Sequence, residues 1–197
     1  MTFVSQRQGS HQAGLDRVLH KLDRAVRVGY LVRISRSIRD ADKIDGFVIG
    51  ATEAWTLLAS CTDFLLDGFV AIRTADISRV QRRGDDTSMT VRALRRRGQW
   101  PVQRPIGGVH LDDLSDVVTA AAEGYGFVIV NVEGWEPDSC WIGTVVGLGR
   151  KKLRLHEVDP EARWHDEPTK FSRKAITRIG FGDRYSTTLR EFAGSPR

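Results

Sequence analysis

Two stretches of this 197-residue chain gather side chains that do chemistry. The first, RALRRRGQWPVQRP (92–105), places Arg92, Arg95, Arg96, Arg97 and Arg104 around Trp100. Guanidinium forks hold phosphate oxygens in pairs and an indole stacks on a base, so base plus aromatic is the ordinary chemistry of contact with RNA or DNA. A plainer reading stands beside it. Arg92, Arg95 and Arg96 also fit the wet face of a short helix whose apolar side is Val91 and Leu94, with Trp100 wedged ahead of Pro101 in a crevice between two modules. The second stretch, HEVDPEARWHDE (156–167), holds two histidines and five carboxylates. Both are ligand types for divalent metals. Pro160 and Pro168 nevertheless mark a solvated loop, where carboxylates lack the desolvation that acid–base catalysis needs. The expectation is an acidic surface with no metal and no cofactor, through Glu157, Asp159, Glu161, Asp166 and Glu167. Within it, Trp164, His165, Asp166 and Glu167 are candidates for meeting a protein partner, and Trp164 alternatively closes its own part of the fold.

The remaining chemistry-bearing residues form no catalytic pattern. None of His11, His20, His110, His156 and His165 belongs to an H-E-x-x-H run or stands beside a nucleophile motif, and no P-loop or strand-borne G-x-G-x-x-G occurs. The function expected is binding, not enzymatic turnover. Cys61 and Cys140 form no C-x-x-C pair and read as buried small hydrophobes in a cytoplasmic protein. No apolar run reaches the ~18 residues of a membrane span, and MTFVSQRQGSHQAG lacks the apolar stretch of a signal peptide, so no membrane partner is expected.

Charge is distributed unevenly. The net value of +5 arises from 17 Lys and Arg against 11 Asp and Glu in residues 1–100, and 13 against 14 in the rest. The basic excess belongs to the first half, where Arg79, Arg82 and Arg83 precede the arginine-rich stretch, and it favours polyanions.

The elements that must position these residues are written twice. GYLVRISR from Gly29 falls on GFVIVNVE from Gly126, and GFVIGATEAWTLL from Gly46 on GTVVGLGRKKLRL from Gly143, both at an offset of 97. ADISRV (75–80) then falls on KAITRI (174–179), and GDDTSMTVRAL from Gly84 on GDRYSTTLREF from Gly182. Internal similarity at a fixed period marks repeated modules. Each copy opens with an apolar-periodic helix, 15–26 and 111–122, and closes with another, the last through Tyr185, Thr188, Leu189 and Phe192. Between them the strand-like runs are 29–36, 45–51, 55–62, 68–73 and 77–82, then 126–133, 141–148, 152–158, 169–172 and 176–181. Trp55 and Trp141 are expected in the packing of these strands, and the equivalent pair Arg79 and Arg178 in structural contacts with a carboxylate.

The order helix, three strands, loop, two strands resembles the Sm-like and SH3-like small barrels. Ile72-Arg73-Thr74-Ala75-Asp76-Ile77 is similar to the second Sm signature, with Thr74 where that signature has Gly. The second copy reads Phe171-Ser172-Arg173-Lys174-Ala175-Ile176 and keeps the apolar ends. Glu53-Ala54-Trp55-Thr56 and Arg150-Lys151-Lys152-Leu153 stand where the first signature has an Asn, so the Asn and Gly of the family's base pocket are absent. Duplicated barrels of this kind also resemble domains of bacterial proteins without assigned activity. The resemblance implies a mainly β fold with flanking helices (α+β): two tandem five-stranded barrels related by internal duplication, over 1–98 (basic) and 99–197 (with the acidic loop). The expected partners are RNA or DNA, or alternatively a protein or further copies of the chain added at strand edges.

Overall fold

The computed structural model describes the backbone of residues 2–196 and the side chains of residues 12–196; Met1, Arg197 and the side chain of His11, all part of the sequence reading, lie outside the described residues. The elements are α1 (Thr2–Val28), β1 (Leu31–Arg36), β2 (Ile44–Ala51), β3 (Trp55–Thr62), β4 (Leu65–Arg73), a single 3-10 turn (Thr74–Asp76), β5 (Ile77–Gly84), α2 (Met89–Arg96), α3 (Leu114–Tyr125), β6 (Phe127–Asn131), β7 (Trp141–Leu148), β8 (Lys152–Glu157), β9 (Thr169–Ser172), β10 (Arg178–Phe181) and α4 (Arg184–Ala193). No described helix is long and apolar enough to cross a membrane.

Local sequence explains where these elements begin and end. On α1, Leu22 and Ala25 are fully buried and pack with Val18 and Val26 against Ile34, Val48 and Leu58. The helix stops at Gly29, whose φ of 72° suits glycine and whose N–H closes the last turn on the Ala25 carbonyl at 2.8 Å. Asp113 caps α3 by accepting the Ser115 N–H at 2.7 Å, which starts that helix three residues later than its apolar periodicity predicts. Leu111 is left in the approach, buried against β2, where its Cδ1 occupies the space a side chain on Gly50 would need.

All ten strands form one antiparallel sheet in the order β5-β1-β2-β3-β4-β10-β6-β7-β8-β9. The first five therefore run β5-β1-β2-β3-β4 and the last five β10-β6-β7-β8-β9. The sheet does not close, which corrects the expectation of two separate barrels with hidden edges. The reason lies in β4. Its outer edge carries Phe69, Val70, Ala71 and Ile72, and β10 takes up that edge, pairing Phe181, Gly180, Ile179 and Arg178 with them in turn. An uncovered apolar edge of this kind is a template for unwanted pairing, and the second half of the chain occupies it.

The seam makes β3 and β4 two-faced. Leu58 and Ile72 join the cluster of Leu22 and Ala25 from α1. Trp55, Leu57 and Ala71, on the opposite face, join Leu114, Val117, Val118 and Ala121 of α3 together with Ile179 and Phe181 of β10. The run WTLLA is buried without alternation because water reaches neither face, and its one polar member, Thr56, is satisfied by the Thr74 hydroxyl at 2.9 Å.

Candidate nucleic-acid interface

The basic stretch is built on α2. The Ser88 hydroxyl accepts the Val91 N–H at 3.4 Å and starts the helix, and Gly98, with φ of 69°, follows its end. Val91 and Leu94 are fully buried against Leu31, Phe47 and Cys61, so Arg92, Arg95 and Arg96 point to solvent. The arginines are not equivalent. Arg95 donates to the Asp86 carbonyl at 2.9 Å and lies 5.8 Å from the Trp100 ring centroid, and Arg97 donates to the Phe64 carbonyl at 2.6 Å. Arg92 and Arg96, one turn apart, form no ion pair among the described residues; Arg92 meets only the Met89 sulfur at 3.7 Å. Arg104 is exposed in the coil beyond the helix.

Trp100 is half-buried, edge-on to Phe47 at 5.4 Å, in a cluster made of the first half of the sheet, α2 and the segment that follows it. It fills a crevice beneath α2. The expected crevice between modules is corrected to one within the first half, and Trp100 leaves part of its ring open to solvent there.

The acidic loop is ordered by its own groups. The Asp159 carboxylate accepts the Glu161 and Arg163 N–H groups at 2.9 and 3.0 Å and the Arg163 Nε at 2.8 Å. These bonds hold its carboxyl below the usual range. Trp164 donates from Nε1 to the Ala193 carbonyl at 3.0 Å and packs edge-on to Phe127 at 5.6 Å, so it closes the fold over α4. His156 bonds through Nε2 to the His165 carbonyl at 2.7 Å. Glu157 is buried, which removes it from the acidic surface expected of it and leaves Glu161, Asp166 and Glu167 exposed. An open depression of about 520 Å³ is lined by His156, Arg163, Trp164, His165 and Asp166. Among the described residues no group of three His, Cys, Asp and Glu converges as metal ligands. Cys61 is buried, and burial pushes its thiol up to about 11; Cys140 is exposed, contrary to expectation.

One polar cluster has no counterpart in the sequence reading. Arg36, at the end of β1, makes a two-pronged ion pair with Glu133, just past β6, through Nη1 to Oε2 and through Nη2 to Oε1, the latter at 2.7 Å. Both side chains are buried. The Thr177 hydroxyl donates to Glu133 Oε2 at 2.7 Å, and Arg178 stands 3.6 Å from Oε1 while donating from Nε to Asn131 Oδ1 at 3.0 Å. Arg178 thus has the carboxylate contact expected of it, whereas Arg79 is exposed with no ion pair among the described residues. The only sequence clue was that Arg36 and Glu133 stand 97 residues apart, the repeat's own offset.

Asp76 lies beside this cluster with Oδ2 unpartnered. Burial pushes its carboxyl up, against the opposing pull of Arg73 and Arg36. A carboxyl whose folded pKa is raised favours the folded state below its unfolded pKa, and that contribution is lost as pH rises through the folded pKa. Asp76→Asn is therefore expected to raise the thermal midpoint near neutrality and to leave it unchanged in acid. Equal midpoints at neutral pH would show that the unpartnered oxygen costs nothing.

No family model, no curated protein and no solved structure matches this chain.

Proposed function

We propose that this is a non-catalytic, nucleic-acid-binding protein of two duplicated five-stranded modules sharing one open sheet, which contacts the phosphate backbone through α2. The observation that carries the reading is the pair Arg92 and Arg96, fixed one turn apart on an anchored helix with no carboxylate paired to them among the described residues. Arg95 and Arg97 extend the same positive surface, though their bonds to backbone carbonyls divide them between ligand and fold. The duplication is supported by the equal strand order of the halves. Matched glycines support it too: a Cβ on Gly46 would strike the carbonyl of Ala59, and one on Gly143 the carbonyl of His156, at equivalent strand crossings.

The test is fluorescence anisotropy of a labelled mixed-sequence single-stranded oligonucleotide, RNA and DNA in parallel, across a salt series. Arg92→Glu with Arg96→Glu is expected to weaken binding at low salt by at least about tenfold. Losing two phosphate contacts should also flatten the salt slope by ~1.4, at ~0.7 per contact on a single strand. Unchanged affinity in the double variant would remove α2 from the interface. The alternative, assembly of copies by strand addition, draws on one observation: the outer edges of β5 and β9 are unpaired in the sheet. Concentration-dependent sedimentation would support it.

A further inference from the structure

We infer that the outer face of β8 and β9 is a second nucleic-acid-binding surface, taking the phosphate backbone on Lys152, Arg154 and Lys170. The inference rests on the nucleic-acid reading above and concerns a different face of the molecule.

In the first half the corresponding surface is covered by other parts of the chain. There, Trp55 pairs with Arg73 and Leu57 with Ala71 across β3 and β4. Trp55, Leu57 and Ala71 are buried, covered by α3 and β10. In the second half the corresponding pairs are Lys152 with Ser172 and Arg154 with Lys170 across β8 and β9. The inward residues of these strands, Leu153, Leu155 and Phe171, remain apolar and packed. The outward ones have become Lys152, Arg154 and Lys170, all exposed and none in an ion pair among the described residues. Three apolar contacts of one copy are three cations in the other, at matched register.

This substitution decides what the face can accept. A further copy added by the geometry of the seam would bring its own β5 and α1 to this face. These elements expose Arg79, Arg82 and Arg83, and Arg17, Lys21 and Arg24, against Asp16 and Asp23, with Arg82 paired to Asp85. The contact would bring a net positive surface onto these cations and desolvate them, so the face ends the series of modules. An acidic occupant is required instead. Arg154 and Lys170 stand directly opposite each other, an arrangement that weakens a sheet unless an anion bridges it. Successive cations on one face of a strand are about 6–7 Å apart by strand geometry, which leaves each free to meet its own phosphate. Nucleic acid is the favoured occupant because the exposed arginines of α2 supply a second surface of the same sign on the same chain.

The experiment uses the full chain, a fluorescein-labelled mixed-sequence single-stranded RNA and a salt series. Lys152→Gln, Arg154→Gln and Lys170→Gln together should weaken binding at least about tenfold at low salt and flatten the salt slope by ~2, at ~0.7 per lost contact. A second variant separates binding from stability. Lys170→Glu gives Arg154 an opposite-charge partner, so its thermal midpoint should rise while RNA affinity falls. If wild type binds RNA but both variants bind it equally well, this inference is overturned and the α2 reading survives. If wild type binds no RNA at low salt, the nucleic-acid reading itself fails. If the variants keep RNA but lose affinity for poly-glutamate, the face belongs to an acidic protein and the inference is overturned.

Discussion

Arg36→Ala is expected to destabilise the chain by about 3–5 kcal/mol, the usual consequence of removing one partner from a buried ion pair. The loss is not that of one contact. With Arg36 gone, the Glu133 carboxylate stays buried, held by the Thr177 hydroxyl and by Arg178 at 3.6 Å, which places the expected effect toward the lower end. Burial alone would raise the Glu133 carboxyl. The Arg36 hydrogen bond, with Arg178 and Thr177, outweighs it and holds the carboxyl below its usual range. A depressed folded pKa gives stability that is present above the unfolded pKa and lost as pH falls through the folded pKa. The deficit of Arg36→Ala should accordingly be largest near neutrality and shrink in acid. Urea unfolding of wild type, Arg36→Ala and the double variant Arg36→Met with Glu133→Leu checks this. The double variant is expected to recover most of the loss, because two apolar groups leave no buried charge behind. A deficit that persists undiminished in acid would mean that Arg36 acts through packing alone.

How much of this was legible beforehand depended on whether the information was local. Strands 55–62, 141–148 and 169–172 were read at their observed bounds because Gly and charged clusters delimit apolar runs there. The arginines of α2 were placed on the wet side because Val91 and Leu94, three apart, define the dry one. What failed was non-local. Nothing in the sequence says which strand edge meets which, so the pairing of β4 with β10 was invisible, and the pair Arg36–Glu133 showed only as two residues at the repeat's offset. The same gap hid the exchange of Trp55, Leu57 and Ala71 for Lys152, Arg154 and Lys170. Each is an unremarkable outward residue until the first set is found under α3. Trp100 and Trp164 left two roles open each, and both rings have the packing contacts that the structural role requires. In the last helix, periodicity grouped Tyr185 and Phe192 with Leu189, yet only Leu189 is buried, and Phe192 is 79% exposed.

Phe181→Ala is expected to cost about 3–5 kcal/mol, the range for deleting a fully buried aromatic ring. Phe181 is entirely inaccessible, with Phe69 of β4 at 5.5 Å and Tyr125 of α3 at 5.2 Å between ring centroids. Little around the cavity can collapse. The backbone on one side is fixed by pairing to both β4 and β6, and Gly182, whose φ of 70° positions the next residue, lies against the Tyr125 ring. The ring also belongs to the cluster that holds Trp55, Leu57 and Ala71 of the first half, so its loss should be felt on both sides of the seam. Thermal unfolding followed by circular dichroism and by tryptophan fluorescence should shift to a lower midpoint as one transition. Single-tryptophan variants retaining Trp100 or Trp164, which pack in clusters confined to the first and the second half, would report the two halves separately and should melt together. Phe181→Leu, which keeps part of the volume, should fall between wild type and Phe181→Ala. A loss below about 1 kcal/mol would be too small for a buried ring and would place the cavity within reach of relaxation. Separate transitions for the two tryptophans would show that the ten-stranded sheet is two stability units joined only by strand pairing.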